Sequence, residues 1–313
     1  MNKENTIDLN KIGLDFLRWS KKNPVGKIPR GVSKEGAGEN RVPFAHLANS
    51  VPVYLTFREI LKLSKHERAF VLDIGCGTGR NISYVKESVK KTEYEFFGVD
   101  YSKSCIDFAR SQYKKQGVTF VQHDGKYLPF PDSCFDFVVS SHVLEHIDKE
   151  GGIFYFKEIS RILKKGGVAI IGTPNRKHCQ DLFAININDD KQYRLILPHL
   201  HEYYYDELKK MVINSSIFSK VSVDQTVNLV NRKLMVDSIE KIKPRAGFLN
   251  KIKYTIYTVL RSNIRLQDLM ARIGTEYILK RMGVGYKDLI KSTYYIKDDG
   301  KGDGDNFIVI AEK

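Results

Sequence analysis

Val71-Leu72-Asp73-Ile74-Gly75-Cys76-Gly77-Thr78-Gly79 decides how this chain is read. An apolar run carries an acid near its end, and a glycine-rich turn follows at once. The residues beyond, from about Asn81, have helical spacing, so the stretch reads as strand, tight turn and helix. Gly75 and Gly77 lack a Cβ, tolerate positive φ and let the backbone come close to a ligand. The helix start beyond them offers N–H groups with no partner inside the helix. The spacing is G-x-G-x-G, not the G-x-G-x-x-G of dinucleotide sites. Asp73 stands just before the first glycine. A carboxylate there suits a ligand carrying an amine and a positive sulfonium better than one carrying a pyrophosphate.

Outward from this turn, short apolar runs alternate with amphipathic segments. Ala69–Ile74 is a buried strand, Tyr94–Val99 a second, Val118–Gln122 a third and Phe135–Ser140 a fourth. Lys165-Gly166-Gly167 turns into a fifth over Val168–Gly172, and Val221–Val223 lies in a sixth. Helices are expected from about Asn81 and over Ser102–Lys115, Ile153–Leu163 and Tyr205–Asn214. Strands and helices alternating at this pitch predict a mostly parallel sheet covered on both faces. Asn306–Glu312, with its Phe-Ile-Val-Ile-Ala run, reads as the seventh strand.

The expected fold is α/β and Rossmann-like, with a seven-stranded, mostly parallel sheet and helices on both faces. Residues 1–66 form an N-terminal helical and loop segment. Ile12, Phe16 and Trp19 recur at helical spacing there, Asn23–Arg41 reads as a loop, and Tyr54–Leu63 is helical again. Residues 67–227 form the sheet domain. Residues 228–297 are a basic helical insertion or lid, and 298–313 a final turn and strand. The Asp- and Gly-rich run Asp298–Asp305 lacks the last Glu of a calcium loop and is taken as a turn.

The formal net charge is +14 over 313 residues, which implies a field that attracts anions: nucleic acid, an acidic membrane surface or a phosphorylated substrate. Cys76, Cys105, Cys134 and Cys179 lie far apart with no Cys-x-x-Cys spacing, which argues against a zinc knuckle or a disulfide framework. They read as reduced thiols of a cytoplasmic protein. The first residues lack the apolar core of a signal peptide. No apolar run approaches the roughly 18 residues of a membrane span. Any membrane contact is expected to be peripheral.

Several further motifs follow the glycine turn in order: Gly98-Val99-Asp100-Tyr101-Ser102, His123-Asp124-Gly125, Leu128-Pro129-Phe130-Pro131-Asp132, Ser140-Ser141-His142-Val143-Leu144-Glu145-His146, Leu163-Lys164-Lys165-Gly166-Gly167 and Thr173-Pro174-Asn175. In these the chain resembles the class I S-adenosylmethionine (SAM)-dependent methyltransferases of the type 11 subgroup, which includes the ubiquinone and menaquinone biosynthesis enzymes. The resemblance runs from about Val71 to Asn175 and thins out towards Leu208. It implies SAM as cofactor, with the turn Gly75, Cys76, Gly77 and Gly79 beneath it. Asp73 and Gly75 would lie near the methionine end, and Asp100 would hold the ribose with Tyr101 beside it. Asp124 and Gly125 would flank the adenine, and Ser141 or His142 would line the wall by the sulfonium.

His142-x-x-Glu145-His146 is the candidate catalytic constellation. On a helical turn with Val143 and Leu144 packed inward, the three residues share one face. His146 is then a candidate proton acceptor for the methyl acceptor, with Glu145 and His142 beside it. The trio, with His201 as a fourth donor, also has a metal-like composition. Similar chains with a metal carry Glu-x-x-Glu-His, and here His142 replaces the first Glu, so no metal is assigned. Pro198-His199-Leu200-His201-Glu202-Tyr203 precedes the last expected helix, and His199 or His201 could meet the substrate.

Between residues 228 and 292 the chain holds 14 Lys or Arg against 5 Asp or Glu. Tyr254, Tyr257 and Leu260 stand beside Lys251, Lys253 and Arg261. That mixture suits an anionic lipid surface or a lid over a lipid-like substrate. No RNA- or DNA-binding module is recognisable, so nucleic acid is the weaker expectation. The expected activity is methyl transfer to a small-molecule or lipid- or glycan-linked acceptor at oxygen. The competing readings are an RNA methyltransferase and a SAM-binding regulatory protein without catalysis.

Overall fold

The computed structural model describes residues 18–19, 44–123, 127–177, 199–215, 218–228 and 293–313. The expectations for Ile12 and Phe16, the Asn23–Arg41 loop, Asp124, Gly125 and nearly all of the basic insertion lie outside the described residues.

The elements run α1 (Phe44–Leu63), β1 (Ala69–Ile74), α2 (Arg80–Val89), β2 (Tyr94–Asp100), α3 (Lys103–Gln112), β3 (Val118–Gln122) and β4 (Phe135–Ser141). They continue with α4 (Lys149–Ile162), β5 (Leu163–Pro174), α5 (Tyr205–Ser215), β6 (Lys220–Asn228), β7 (Thr293–Ile296) and β8 (Asn306–Glu312). The sheet order is β3-β2-β1-β4-β5-β8-β6-β7. Strands β1 to β5 are mutually parallel, and β8 is antiparallel to both its neighbours. The expected Rossmann-like sheet is present.

One strand goes beyond the seven expected. Thr293–Ile296 pairs antiparallel with β6, from Asn228↔Thr293 to Gln225↔Ile296. These residues were placed in the helical insertion. Thr-Tyr-Tyr-Ile is a β-branched and aromatic run, which fits a pleated surface better than a helix.

Side chains alternate between the two faces of the sheet, as a period of two requires. On one face Val71, Phe137, Val139, Ile170 and Ile308 meet Val53, Phe57 and Leu61 of α1 and Ile82 and Val85 of α2. On the other, Leu72, Val138, Ile171 and Val309 meet Phe156 and Ile159 of α4 and Leu208 and Val212 of α5. All seven residues of β4 are buried, as a central strand covered on both faces demands. Its Asp136 is buried without cost in unmet polarity, because it accepts from the Phe70 N–H at 2.8 Å and from Lys164 Nζ at 2.7 Å.

Helix α1 is longer than its spacing suggested and runs through Pro52. A proline inside a helix costs about 3 kcal/mol. Val51, Val53, Tyr54, Leu55 and Phe57 are all buried around it. Each fully buried large apolar side chain returns about 1.5–3 kcal/mol, so burial outweighs the break. Trp19 packs edge-on against Tyr84 at 5.3 Å and donates to Glu87, which fastens the N-terminal segment to α2.

Parallel pairing brings the carboxyl ends of β1, β2, β4 and β5 to one edge. Ile74 lies opposite Val99 and Ser140, and Ser141 opposite Gly172. The chain order reverses between β1 and β4, and such a switch point is where open α/β sheets bind ligands.

Candidate functional site

At the tip of β1 the chain turns on three glycines in the left-handed region: Gly75 (φ 71°), Gly77 (φ 53°) and Gly79 (φ 75°). The N–H groups of Gly75 and Cys76 both donate to the Val99 carbonyl, at 2.8 and 3.0 Å, locking the turn to the end of β2. A Cβ on Gly75 would stand 2.1 Å from a methyl of Val143, and one on Gly79 would stand 2.5 Å from the Phe120 ring. Both backbone angle and space therefore require glycine. The Cys76 side chain is buried in the core beneath Gly98, so Cys76 can offer a ligand its backbone but not its sulfur.

Asp100 ends β2 and is held from two sides. Its Oδ2 accepts from the Gly77 N–H at 2.8 Å and its Oδ1 from the Ser102 N–H at 2.9 Å. The carboxylate thus joins the glycine turn to the start of α3, and it remains half-buried rather than sealed. Ser102 caps α3, its hydroxyl accepting from the Cys105 N–H. Next to it, Tyr101 is exposed, and the His123 N–H returns to the Asp100 carbonyl at 3.0 Å. That bond brings the end of β3 to the same place. Asp73 is fully buried. Tyr54 of α1 donates to its two carboxylate oxygens, at 3.0 and 3.1 Å, a partner the sequence pattern did not indicate.

The other half of the edge is built from side chains. Ser141 closes β4 with its hydroxyl buried and without a hydrogen-bond partner. His142 follows with φ at 58°, rare for a residue with a Cβ, while its N–H stays on the ladder and donates to Gly172. The helical turn expected over His142–His146 is instead a short 3-10 turn, Leu144–His146, with His142 outside it. The expected single face does not form. His142 still meets Glu145, Nδ1 to Oε1 at 2.8 Å.

Glu145 is completely buried. Thr173 Oγ1 donates to its other oxygen at 3.2 Å. Burial alone would raise its pKa, but His142, His199 and His146 together outweigh burial and hold it below the usual carboxylate range. The Glu145 carbonyl accepts from the N–H groups of Leu200 and His201, so the 199–203 segment is tied to the same turn.

That segment supplies a second carboxylate–histidine pair. His199 Nδ1 bonds Oε1 of Glu202, which is also completely buried. Burial pulls the His199 pKa down, yet Glu202 and Glu145 overcome it and the net shift is upward. The His146 and His199 rings meet edge to face at 5.0 Å. His201 points elsewhere, its Nε2 on Glu207 at 3.1 Å and its ring on Tyr203 at 4.5 Å. Of the four catalytic candidates, His142, Glu145 and His146 come together and His201 does not join them. His199 and Glu202 join instead. His199 was an expected substrate contact, and the His-x-x-Glu spacing it forms with Glu202 repeats that of His142 and Glu145, although nothing in the sequence ties the two pairs together.

Residues 72–171 match a family model described as a methyltransferase domain. This part of the chain is a SAM-dependent methyltransferase domain. The chain is 36% identical over 100 residues to a fatty-acid O-methyltransferase of Mycolicibacterium smegmatis, covering 31% of this chain and 34% of the relative. It is 29% identical over 110 residues to a ubiquinone/menaquinone biosynthesis C-methyltransferase of Desulfotalea psychrophila, covering 34% and 43%. The match thus spans less than half the length of these curated relatives. Among solved structures, a SAM-dependent methyltransferase from Thermotoga maritima is 17% identical, covering 98% of each chain, with a TM-score of 0.49.

The methyltransferase domain fits its cofactor. The glycines of the turn carry no side chain to block a close approach, and the half-buried Asp100 carboxylate, held by two N–H groups, has the chemistry to accept from ribose hydroxyls. Asp73, acidic and buried, has the charge to match a cationic amine.

Proposed function

We propose that the chain moves a methyl group from SAM to an oxygen of a small or lipid-linked acceptor. The observation that carries this reading is the carboxylate–histidine cluster at the tip of β4, which abuts the glycine turn through Val143. Asp100 would hold the ribose and Asp73 the amine, with the turn from Gly75 to Gly79 beneath. SAM, when bound, supplies a methyl on a positive sulfur: its C–S bond breaks with the electron pair left on sulfur as a C–O bond forms to the acceptor. The chain's own task is alignment and exclusion of water. An acceptor hydroxyl must also lose its proton. The imidazoles of His146 and His199 stand at the surface of the cluster, where such a proton can be received and passed to solvent. Glu202 holds His199 in place, and Glu145 is braced by His142 and Thr173.

Similarity to the fatty-acid O-methyltransferase of Mycolicibacterium smegmatis supports a fatty-acid-like acceptor. The charge of residues 228–292 supports an anionic surface, lipid before nucleic acid. No helix among the described residues is long and apolar enough to cross a membrane. The test has two steps. Calorimetric titration with S-adenosylhomocysteine should show micromolar binding, and its absence would overturn the cofactor reading. Incubation with labelled SAM and a panel of free fatty acids and hydroxylated lipids should then give a methyl ester or ether. A methyl group found on nitrogen or carbon, or on added RNA, would overturn the acceptor class. SAM binding without any turnover would favour a regulatory protein.

A further inference from the structure

We infer that Glu145, His146 and His199 bind a divalent first-row transition cation of the zinc class, which holds the acceptor oxygen beside the cofactor. The inference rests on the methyltransferase reading for its role but not for the site itself. One ligand atom from each of the three residues lies within 4.8 Å of the other two. Two imidazole nitrogens and one carboxylate oxygen select zinc-like ions over magnesium or calcium, which prefer all-oxygen shells. Three protein ligands leave at least one position open. That is the pattern of sites that act on a substrate rather than of closed structural sites.

Two further observations point the same way. A histidine that binds a metal usually gives its other nitrogen to a carboxylate, which fixes ring and tautomer. His199 does so: Glu202 takes its Nδ1, leaving Nε2 as the nitrogen for a ligand. The second concerns charge. Glu145 and Glu202 are both completely buried, and a buried carboxylate is costly unless matched by positive charge and hydrogen bonds. Glu202 Oε2 has no hydrogen-bond partner at all. A dication on Glu145 and on the imidazole that Glu202 braces would add positive charge beside these buried groups. The sequence argued against a metal because His142 stands in place of an acid. The fold makes that objection moot, since His142 turns aside to brace Glu145 and His199 supplies the third ligand.

A hydroxyl or carboxylate oxygen of the acceptor would occupy the open position. A hydroxyl held there ionises more readily, and its proton passes to water. With the ion bound, His146 and His199 are its ligands and no longer the proton acceptors; the methyl transfer itself is unchanged.

The test uses the full chain, stripped with a chelator and titrated with Co(II), whose visible absorption reports nitrogen and oxygen ligation. One equivalent should bind with a visible band, and Zn(II) should displace it. Glu145→Gln and His146→Ala should weaken binding at least tenfold, and Glu202→Gln about tenfold through loss of the brace on His199. His201→Ala should leave the band and affinity unchanged, because His201 is engaged by Glu207. S-adenosylhomocysteine titration of each variant reports that the fold survives. His146 is exposed, so its removal leaves the core intact. No Co(II) or Zn(II) binding by the unaltered chain would overturn the inference, as would a band that persists in both Glu145→Gln and His146→Ala. Failure of the methyltransferase reading would show separately, as absent S-adenosylhomocysteine binding with the cobalt band still present.

Discussion

The two ends of the site are made of different material. The cofactor end is mostly backbone: three left-handed glycines, two N–H groups shared by one carbonyl, and Asp100 gripped by Gly77 and Ser102. The proposed acceptor end is mostly side chain: two buried carboxylates, each paired to a histidine three residues away. Backbone geometry leaves a compact imprint on a sequence, because only a few residue types permit it. A side-chain cluster assembled from β4 and a segment before α5 leaves no contiguous pattern. The difference teaches where to look for identity and where for specificity. A shared cofactor demands the same backbone turn, while the acceptor varies with the side chains opposite.

The largest expected effect breaks the cofactor end. Gly75→Ala should cost about 2–5 kcal/mol of stability, from roughly 1–2 for the left-handed backbone and roughly 1–3 for overpacking against Val143. Urea denaturation would measure it, and a variant with unaltered midpoint would show that the turn can relax. Next comes Asp100→Ala, which should weaken S-adenosylhomocysteine binding by about 1.5–3 kcal/mol, tens- to a hundredfold. Unchanged affinity would remove Asp100 from the site. His146→Ala should do the reverse, leaving that affinity alone while turnover of an accepted substrate falls about a hundredfold. Intact turnover would make the acceptor cluster structural.

A subtler substitution sharpens the boundary between the ends. Tyr54→Phe removes the donor shared by the Asp73 oxygens. Affinity for S-adenosylhomocysteine should fall several-fold, about 1 kcal/mol. Affinity for methylthioadenosine, which lacks the amino-acid end, should not change. Equal losses for both ligands would mean that Tyr54 supports the whole turn.

The smallest effect concerns pH and lies away from both ends. Bonds from Arg161 hold the Glu158 carboxyl below its usual range. Burial pushes Asp298 up, but Lys209, Tyr205 and the Val223 N–H together pull it below its usual range. A depressed carboxylate contributes stability that is complete above its unfolded pKa, about 4, and is lost as pH falls through its folded value. The raised His199 pKa adds stability that is complete only below its unfolded value, about 6.5. The melting midpoint should therefore be nearly flat only from about pH 6 to about pH 5 and drop below about pH 4. Glu158→Gln should shrink that drop.

Most of the sheet was legible because β1 to β5 each carry a short, mostly apolar stretch set between turn residues. The Gly75–Gly79 turn and Asp100 were legible for the reason given above. Three features were not. The first turns of α1 were hidden because Pro52 argues locally against a helix, and only burial against the sheet overrides it. Strand β7 is four residues long and needs β6 as its partner before its pattern means anything. His142 was misplaced because a helical face was assumed, whereas its N–H remains bound to β5 and the backbone must twist through the left-handed region before the 3-10 turn begins. His199 and Glu202 could not be tied to Glu145 without knowing that the Glu145 carbonyl gathers in residues 200 and 201.

Strand β8 has a consequence for how the molecule assembles. It lies between β5 and β6, pairing with Val168–Pro174 on one side and Lys220–Thr226 on the other. Asn175, just past β5, reaches across to the carbonyls of Gly302 and Gly304 and clasps the turn that leads into it. Until β8 docks, β5 and β6 each present an open row of amides and carbonyls, the kind of edge that recruits foreign strands. The last strand in sequence order is thus the one that closes the sheet. Its pairings are among the most distant along the chain, which places a slow, aggregation-exposed step late in folding.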